Sequence, residues 1–277
     1  ARTSTLVSEA MLWSKETPLR LRNPVGEDQA FLRTSLLPGL LVALERNLRH
    51  GAKSVALYEI GRTFHATENR ERQTLSFVLY GESTPRNWRE SKSRDFDWYD
   101  AKGIVEALVR SSLVLKRGDP NAPLALVSEI IADGKFLGFL GQLTPDLARR
   151  MDAPKPILTG EISLEMLEKL RGPSAFEHIA RFPSVVRDVA VVCPISLAYG
   201  EIQKEIWSAN LEFLAKVEPL SVYTDTSGEK LPPGCKSVAI SLTFRAQERT
   251  LSNEEVNAAR DRLKQQLKAK LAVDFRE

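Results

Sequence analysis

The chain has 277 residues, 43% hydrophobic and 27% charged, with 39 Lys+Arg against 36 Asp+Glu. That composition excludes an extended disordered chain. A formal charge of +3 does not by itself argue for nucleic acid, and from Phe182 onward 13 basic residues meet 13 acidic ones, so neither half is a basic binding tail and charge alone announces no polyanion.

Cys193 and Cys235 have no metal-ligand spacing, and two cysteines in a chain of this length make no disulfide framework. Beside strand-like runs they read as small buried apolar residues. His50, His65 and His178 are scattered, so neither a metal nor a catalytic histidine cluster is expected. No apolar run approaches the roughly 18 residues of a membrane span, and no signal peptide is visible. The opening "ARTSTLVSEA" lacks Met, so the chain is expected to be a piece of a longer cytoplasmic protein.

The first clear element is a helix in "RTSLLPGLLVALERNLRHG". Thr34 or Ser35 can cap it, Pro38 sits in the first turn where a missing N–H costs little, and Gly51 can close it. Leu40, Leu41, Leu44 and Leu48 follow helical spacing. "SVALYEIGRTF" and "TLSFVLYG" read as strands, and 82–94 as a polar loop. "FDWYDAKGIVEALVRSSL" begins a helix near Asp97 or Asp100, with Ile104, Leu108 and Ser111 or Ser112 on its stripe. "LALVSEIIADGKFLGFLGQL" is two strands joined at Asp133-Gly134, a strong hairpin signal. "TPDLARRM" is a short helix, and "PILTGEISLEMLEKL" a strand and a helix. Residues 1–172 therefore read as helices on a mainly antiparallel sheet, an α+β domain.

"RGPSAFEHIARFP" reads as a linker, and 182–277 as a second domain. Its elements are a strand at 185–192, a helix at 199–209, strands within 213–223 and 237–245, a helix opened by the Ser252-x-x-Glu255 capping box, and a short strand at 272–275. The order βαββαβ is that of a ferredoxin-like fold.

In that fold both helices cover one face of the sheet, and the other face stays open. Side chains alternate along a strand. With Val189, Val191, Leu220, Val222, Val238, Ile240, Leu242 and Phe244 facing the helices, Ala190, Ser221, Tyr223, Ser237, Ala239 and Ser241 fall on the open face. A floor of Ser and Ala lets a flat group approach the backbone, and Tyr223 at its edge can stack a nucleic-acid base. The same floor also suits packing against another protein domain, and strand periodicity does not separate the two.

"NPVGEDQAFLRTSLLPGLLVALERN" followed by "LYEIGRTF", then "RFPSVVRDVAVV" and "LPPGCKSVAISLTFRAQERTLSNEEV", resemble the beta subunit of bacterial phenylalanine–tRNA ligase in order and spacing over nearly the whole chain. The resemblance implies a class II synthetase-like noncatalytic domain at 1–172 and a ferredoxin-fold anticodon-binding domain at 182–277. It implies an ATP- and magnesium-using holoenzyme of two alpha and two beta chains that attaches phenylalanine to its tRNA, with the catalytic site on the alpha subunit. No catalytic residue, metal ligand or cofactor is then expected within this chain. Its partners would be the alpha subunit and phenylalanine tRNA, in the cytoplasm and away from membranes.

The residues themselves agree on catalysis. Class II enzymes hold ATP with an Arg-x-Glu on one strand and a later arginine. Here Glu59 and Arg62 stand in reverse order at the wrong spacing, and "FLGFLGQL" ends without an arginine. Glu59 and Arg62 are expected to pair structurally. For RNA the resemblance points to Ala190, Ser221, Tyr223, Lys236, Ser237 and Arg187. Tyr223 would stack a base, Ser237 would hydrogen-bond a base edge, Ala190 would leave room, and Lys236, expected in a turn, would touch a phosphate. Some family members carry an acidic residue at the position of Ser221. Arg187 has two readings, a phosphate contact or a pair with Asp188 or another carboxylate at the sheet edge.

Overall fold

The computed structural model describes residues 1–13, 17–67, 71–84, 88, 93–109, 113–119, 123–170, 181–225 and 231–276. The chain divides into two compact units, Ala1–Ser174 and Ala175–Glu277. Ser111, Ser112 and residues 171–180 of the expected linker lie outside the described residues.

In the first unit, β1 (Leu6–Val7) and β2 (Phe31–Leu32) form a short antiparallel pair. Single-turn 3₁₀ helices at Glu9–Met11 and Glu27–Gln29 lie between them. Then come α1 (Leu37–Arg49), β3 (Ser54–Phe64), β4 (Glu71–Gly81), α2 (Trp98–Leu108), β5 (Leu113–Arg117), β6 (Leu124–Ala132), β7 (Lys135–Leu143), α3 (Pro145–Arg150), β8 (Ile157–Ser163) and α4 (Leu164–Leu170). The sheet runs β3-β4-β8-β7-β6-β5, antiparallel throughout.

Each sheet face has its own core. On one, Leu37, Leu40, Leu41 and Leu44 of α1 pack with Val55, Val78, Tyr80 and Ile157. On the other, Ala101 and Val105 of α2 pack with Leu75, Phe77, Leu79, Ile130, Leu158 and Ile162. Ile104 and Leu108, the expected stripe of α2, flank this core while Ala101 and Val105 fill it. Leu40 and Leu44 are fully buried, and truncating either to Ala should cost about 2–5 kcal/mol.

Local chemistry explains the element ends. Asp97 caps α2 by accepting from the N–H groups of Tyr99 and Asp100 at 2.8 and 3.1 Å. Gly51, at φ +84°, closes α1. Asp133 (φ +47°) and Gly134 (φ +75°) both take the left-handed conformation of a type I′ hairpin turn. The start of α1 is held from outside the helix. Ser35 Oγ accepts from the Leu37 N–H at 3.1 Å and donates to Glu161 Oε2 at 2.7 Å, and the Leu36 N–H donates to the same oxygen at 3.0 Å.

The expected Glu59–Arg62 pair does not form. An odd spacing on a strand sends two side chains to opposite faces. Glu59 instead makes a buried salt bridge with Arg33 at 2.7 Å, and Arg62 meets Glu71 at 2.9 Å on the outer side.

The second unit contains β9 (Val185–Pro194), α5 (Tyr199–Ser208), β10 (Leu214–Thr224), β11 (Cys235–Phe244), α6 (Asn253–Leu271) and β12 (Asp274–Arg276). The sheet order β10-β11-β9-β12 is antiparallel and ferredoxin-like. Its core joins Val189, Val191, Val238, Ile240 and Leu242 of the sheet to Ile202 and Ile206 of α5 and Val256, Leu263 and Leu267 of α6. Cys193 is buried in this core, and burial pushes its thiol pKa up. The capping box of α6 is complete: Ser252 Oγ accepts from the Glu255 N–H, and Glu255 Oε2 accepts from the Ser252 N–H.

The expectation for β10 needs correction. Leu220 and Val222 are 55% and 58% exposed rather than packed under the helices. Register shifts between Pro219 and Ser221, so Leu220 is the extra residue of a bulge. Val222 opposes the buried Val238, but β10 is the sheet's edge strand, and Val217 is its one residue in the buried core among those described.

Candidate nucleic-acid interface

Directly opposed residues of antiparallel strands point to the same face, so the register maps the uncovered side of the second sheet. One row crosses all four strands: Arg276 opposes Ala190, Ala190 opposes Ala239, and Ala239 opposes Ser221. The next row is Asp274, Val192, Ser237 and Tyr223. A third pairs Asp188 with Ser241 and Ser241 with Glu218. With roughly 4.8 Å between strands, each four-strand row spans about 14 Å. That is wide enough for nucleotide rings lying flat.

The centre of this surface is low. Ala190 and Ala239 are adjacent, with Ser221, Ser237 and Ser241 around them. At one corner Tyr223 is 42% exposed. At the diagonal corner Arg276 is exposed. Sequence reading stopped the last strand at Phe275 and missed Arg276. The signal was parity, since a buried-side Phe275 sends both Asp274 and Arg276 to the open face. Lys216, on the same face, pairs with Glu218 at 2.7 Å.

Three expected RNA residues stand differently. Arg187 shares the parity of Val189 and so lies on the helix side. It donates to Asn257 Oδ1 at 3.0 Å, to Asn253 Oδ1 at 2.7 Å and to the Val186 carbonyl at 2.9 Å. Its partners are asparagine amides of α6 rather than a phosphate or a carboxylate. Lys236 lies within β11 rather than in a turn, opposite Cys193, with the parity of Val238; its Nζ donates to the Ile195 carbonyl at 3.0 Å. Ser237 is on the expected face but only 7% exposed. Ala190, Ser221 and Tyr223 are together on the open face.

Among the described residues, no group of three or more His, Cys, Asp or Glu side chains is arranged to hold a metal ion. No described helix is long and apolar enough to cross a membrane.

Two family models match the chain. The one described as "Phenylalanyl tRNA synthetase beta chain CLM domain" matches residues 3–164, and the one described as "Ferredoxin-fold anticodon binding domain" matches residues 180–276. Curated relatives include a "Phenylalanine--tRNA ligase beta subunit" from Moorella thermoacetica, 34% identical over 94% of this chain and 33% of its own length. Proteins of the same name from Bacillus cereus and Trichormus variabilis are 34% and 30% identical, over 95% and 92% of this chain and 34% and 33% of their own lengths. The chain thus spans about a third of the length of the curated relatives it matches. A looser likeness, at TM-score 0.46 and 17% identity over 61% of each chain, is to a pyrrolysyl tRNA synthetase from Desulfitobacterium hafniense.

Proposed function

This chain belongs to the phenylalanine–tRNA ligase beta-subunit family, and on that premise we propose that its second domain, residues 182–277, reads the anticodon of phenylalanine tRNA on the open sheet face. In this reading a base stacks on Tyr223 and lies over the Ala190–Ala239 floor. Ser221 contributes a hydrogen bond to a base edge, and Arg276 supplies the backbone contact that Arg187 and Lys236 are not placed to make. The first domain, residues 1–172, serves assembly with the alpha subunit and carries no catalysis. The parent protein works in the cytoplasm as two alpha and two beta chains, using ATP and magnesium bound elsewhere.

The observation that carries this reading is the low Ala190–Ala239 centre of the open face, with Ser221 and Ser241 beside it and the exposed Tyr223 at its edge. Base–aromatic stacking contributes about 1–3 kcal/mol by truncation, and a shallow floor removes the steric barrier to it. Filter binding of phenylalanine tRNA to wild type and Tyr223→Ala tests it. The reading expects affinity to fall about 5- to 150-fold. Equal binding by the two proteins removes the stacking role.

A second reading, assembly without RNA contact, is favoured by the exposed Leu220 and Val222. It expects no saturable tRNA binding by wild type in the same assay.

A further inference from the structure

The first unit has a second feature that RNA binding does not use. One register row crosses its whole sheet: Glu59, Ser76, Glu161, Phe139, Glu129 and Lys116, each opposite the next. All six side chains share the face that α1 covers at its other end. Beyond α1 this face opens into a cavity of about 540 Å³ whose walls include Thr34, Ser35, Phe139, Glu129 and Glu161. That volume suits a small organic molecule.

The three carboxylates of the row are not equivalent. Glu59 is buried against Arg33 and lies outside the cavity lining. Glu161 faces it. Its Oε2 is held by Ser35 Oγ and the Leu36 N–H. Burial pushes the Glu161 pKa up, and the Ser35 and Leu36 donors oppose that shift. An opposite charge from a ligand would favour the ionised form. Glu129 is exposed at the cavity wall. Phe139 stands between these two carboxylates, one strand spacing of roughly 4.8 Å from each. A ring flanked by two carboxylates attracts a cation.

An independent observation concerns Thr34. It is 5% exposed, it lines the cavity, and its hydroxyl has no hydrogen-bond partner. Buried hydroxyls in folded proteins are normally paired, so this one is placed to meet a polar group in the cavity. On the opposite side of the chemical balance, Arg72 also lines the cavity but donates to Thr67 Oγ1 at 3.2 Å. Leu37 and Val127 add apolar wall.

We infer that this cleft binds a small organic cation with an apolar body, its ammonium seated by the carboxylates of Glu161 and Glu129 beside the Phe139 ring. Thr34 Oγ1 accepts from the same ammonium.

The test is titration of the chain with 2-phenylethylamine, followed by saturation-transfer NMR and by the thermal unfolding midpoint. 3-Phenylpropionate is the control, with the same ring and an opposite charge. Saturable binding of the amine and none of the acid are expected. Glu161→Gln keeps an acceptor for Ser35 and Leu36 and should weaken the amine about tenfold or more. Glu129→Ala, at an exposed position, should weaken it without altering the fold. No saturation by the amine, equal binding of the acid, or unchanged affinity in both variants would overturn the inference.

Discussion

Tyr223 and Ser237 face each other across the β10–β11 ladder, yet the tyrosine is 42% exposed and the serine 7%. Ser237 also opposes Val192 on its other side. Opposed Cβ atoms stand about 4.5–5.5 Å apart, so the two larger side chains shade the short one between them. The floor at Ala190 and Ala239 has alanine opposite alanine. A ring laid beside Tyr223 therefore meets a depression over those alanines rather than a polar, bulky strand surface.

Filling that depression should block binding. Ala239→Gln adds bulk at the centre without entering the helix-side core, so stability should change by only about 0.5 kcal/mol. Affinity for phenylalanine tRNA, measured by filter binding, should fall about tenfold or more. Unchanged affinity would place the RNA elsewhere.

Arg187 and Arg276 should separate cleanly. Arg187→Ala removes the ties to Asn253 and Asn257 of α6, so it should lower the thermal midpoint and leave RNA affinity unchanged. Arg276→Ala should leave the midpoint unchanged and reduce the slope of log affinity against log salt by roughly 0.7, the value for one phosphate contact on a single strand. Thermal melts and binding at several salt concentrations check both.

The Arg33–Glu59 bridge in the first unit is buried on both sides. Glu59→Ala leaves the Arg33 guanidinium without its carboxylate and should destabilise by about 3–5 kcal/mol. Replacing both partners together, Arg33→Met with Glu59→Leu, should recover much of that loss. Urea unfolding of the single and double variants measures it.

Acid should loosen the second unit at α6. Two contacts of Arg249 and the Ser252 cap hold the Glu255 carboxyl down at about 2, and Lys270 and Gln266 hold Glu205 at about 2. An unfolded glutamate titrates near 4.3. The folded state therefore binds fewer protons between those values, and these contributions are present above about pH 4.3 and are lost as pH falls toward 2. Glu255→Gln and Glu205→Gln should each flatten the fall in thermal midpoint across that window.

Much of the fold is written in local signals. The Asp133-Gly134 turn, the Ser252–Glu255 box and the leucine stripe of α1 each declare themselves within a few residues. Ala190, Ser221 and Tyr223 followed from alternation once β9 and β10 were located. Other features depend on partners distant in sequence. The bulge at Leu220 exists only relative to β11, and Val222, opposite the buried Val238, is left exposed because β10 is the sheet's edge strand. The shading of Ser237 needs both neighbouring strands. Glu59 finds Arg33 through a chain segment that carries only two-residue strands. Lys236, expected in a turn, lies within β11, and strand parity puts both it and Arg187 on the helix side.

The most direct measurement of the central claim is an NMR titration of alanine-methyl-labelled protein with the anticodon stem-loop of phenylalanine tRNA. Ala190 and Ala239 lie on the open face, while Ala209, Ala246 and Ala259 pack with the helix-side core. Saturable shifts at the first two methyls with the other three unmoved are predicted. Shifts confined to the helix-side methyls, or none at saturating RNA, would contradict an anticodon surface beside Tyr223.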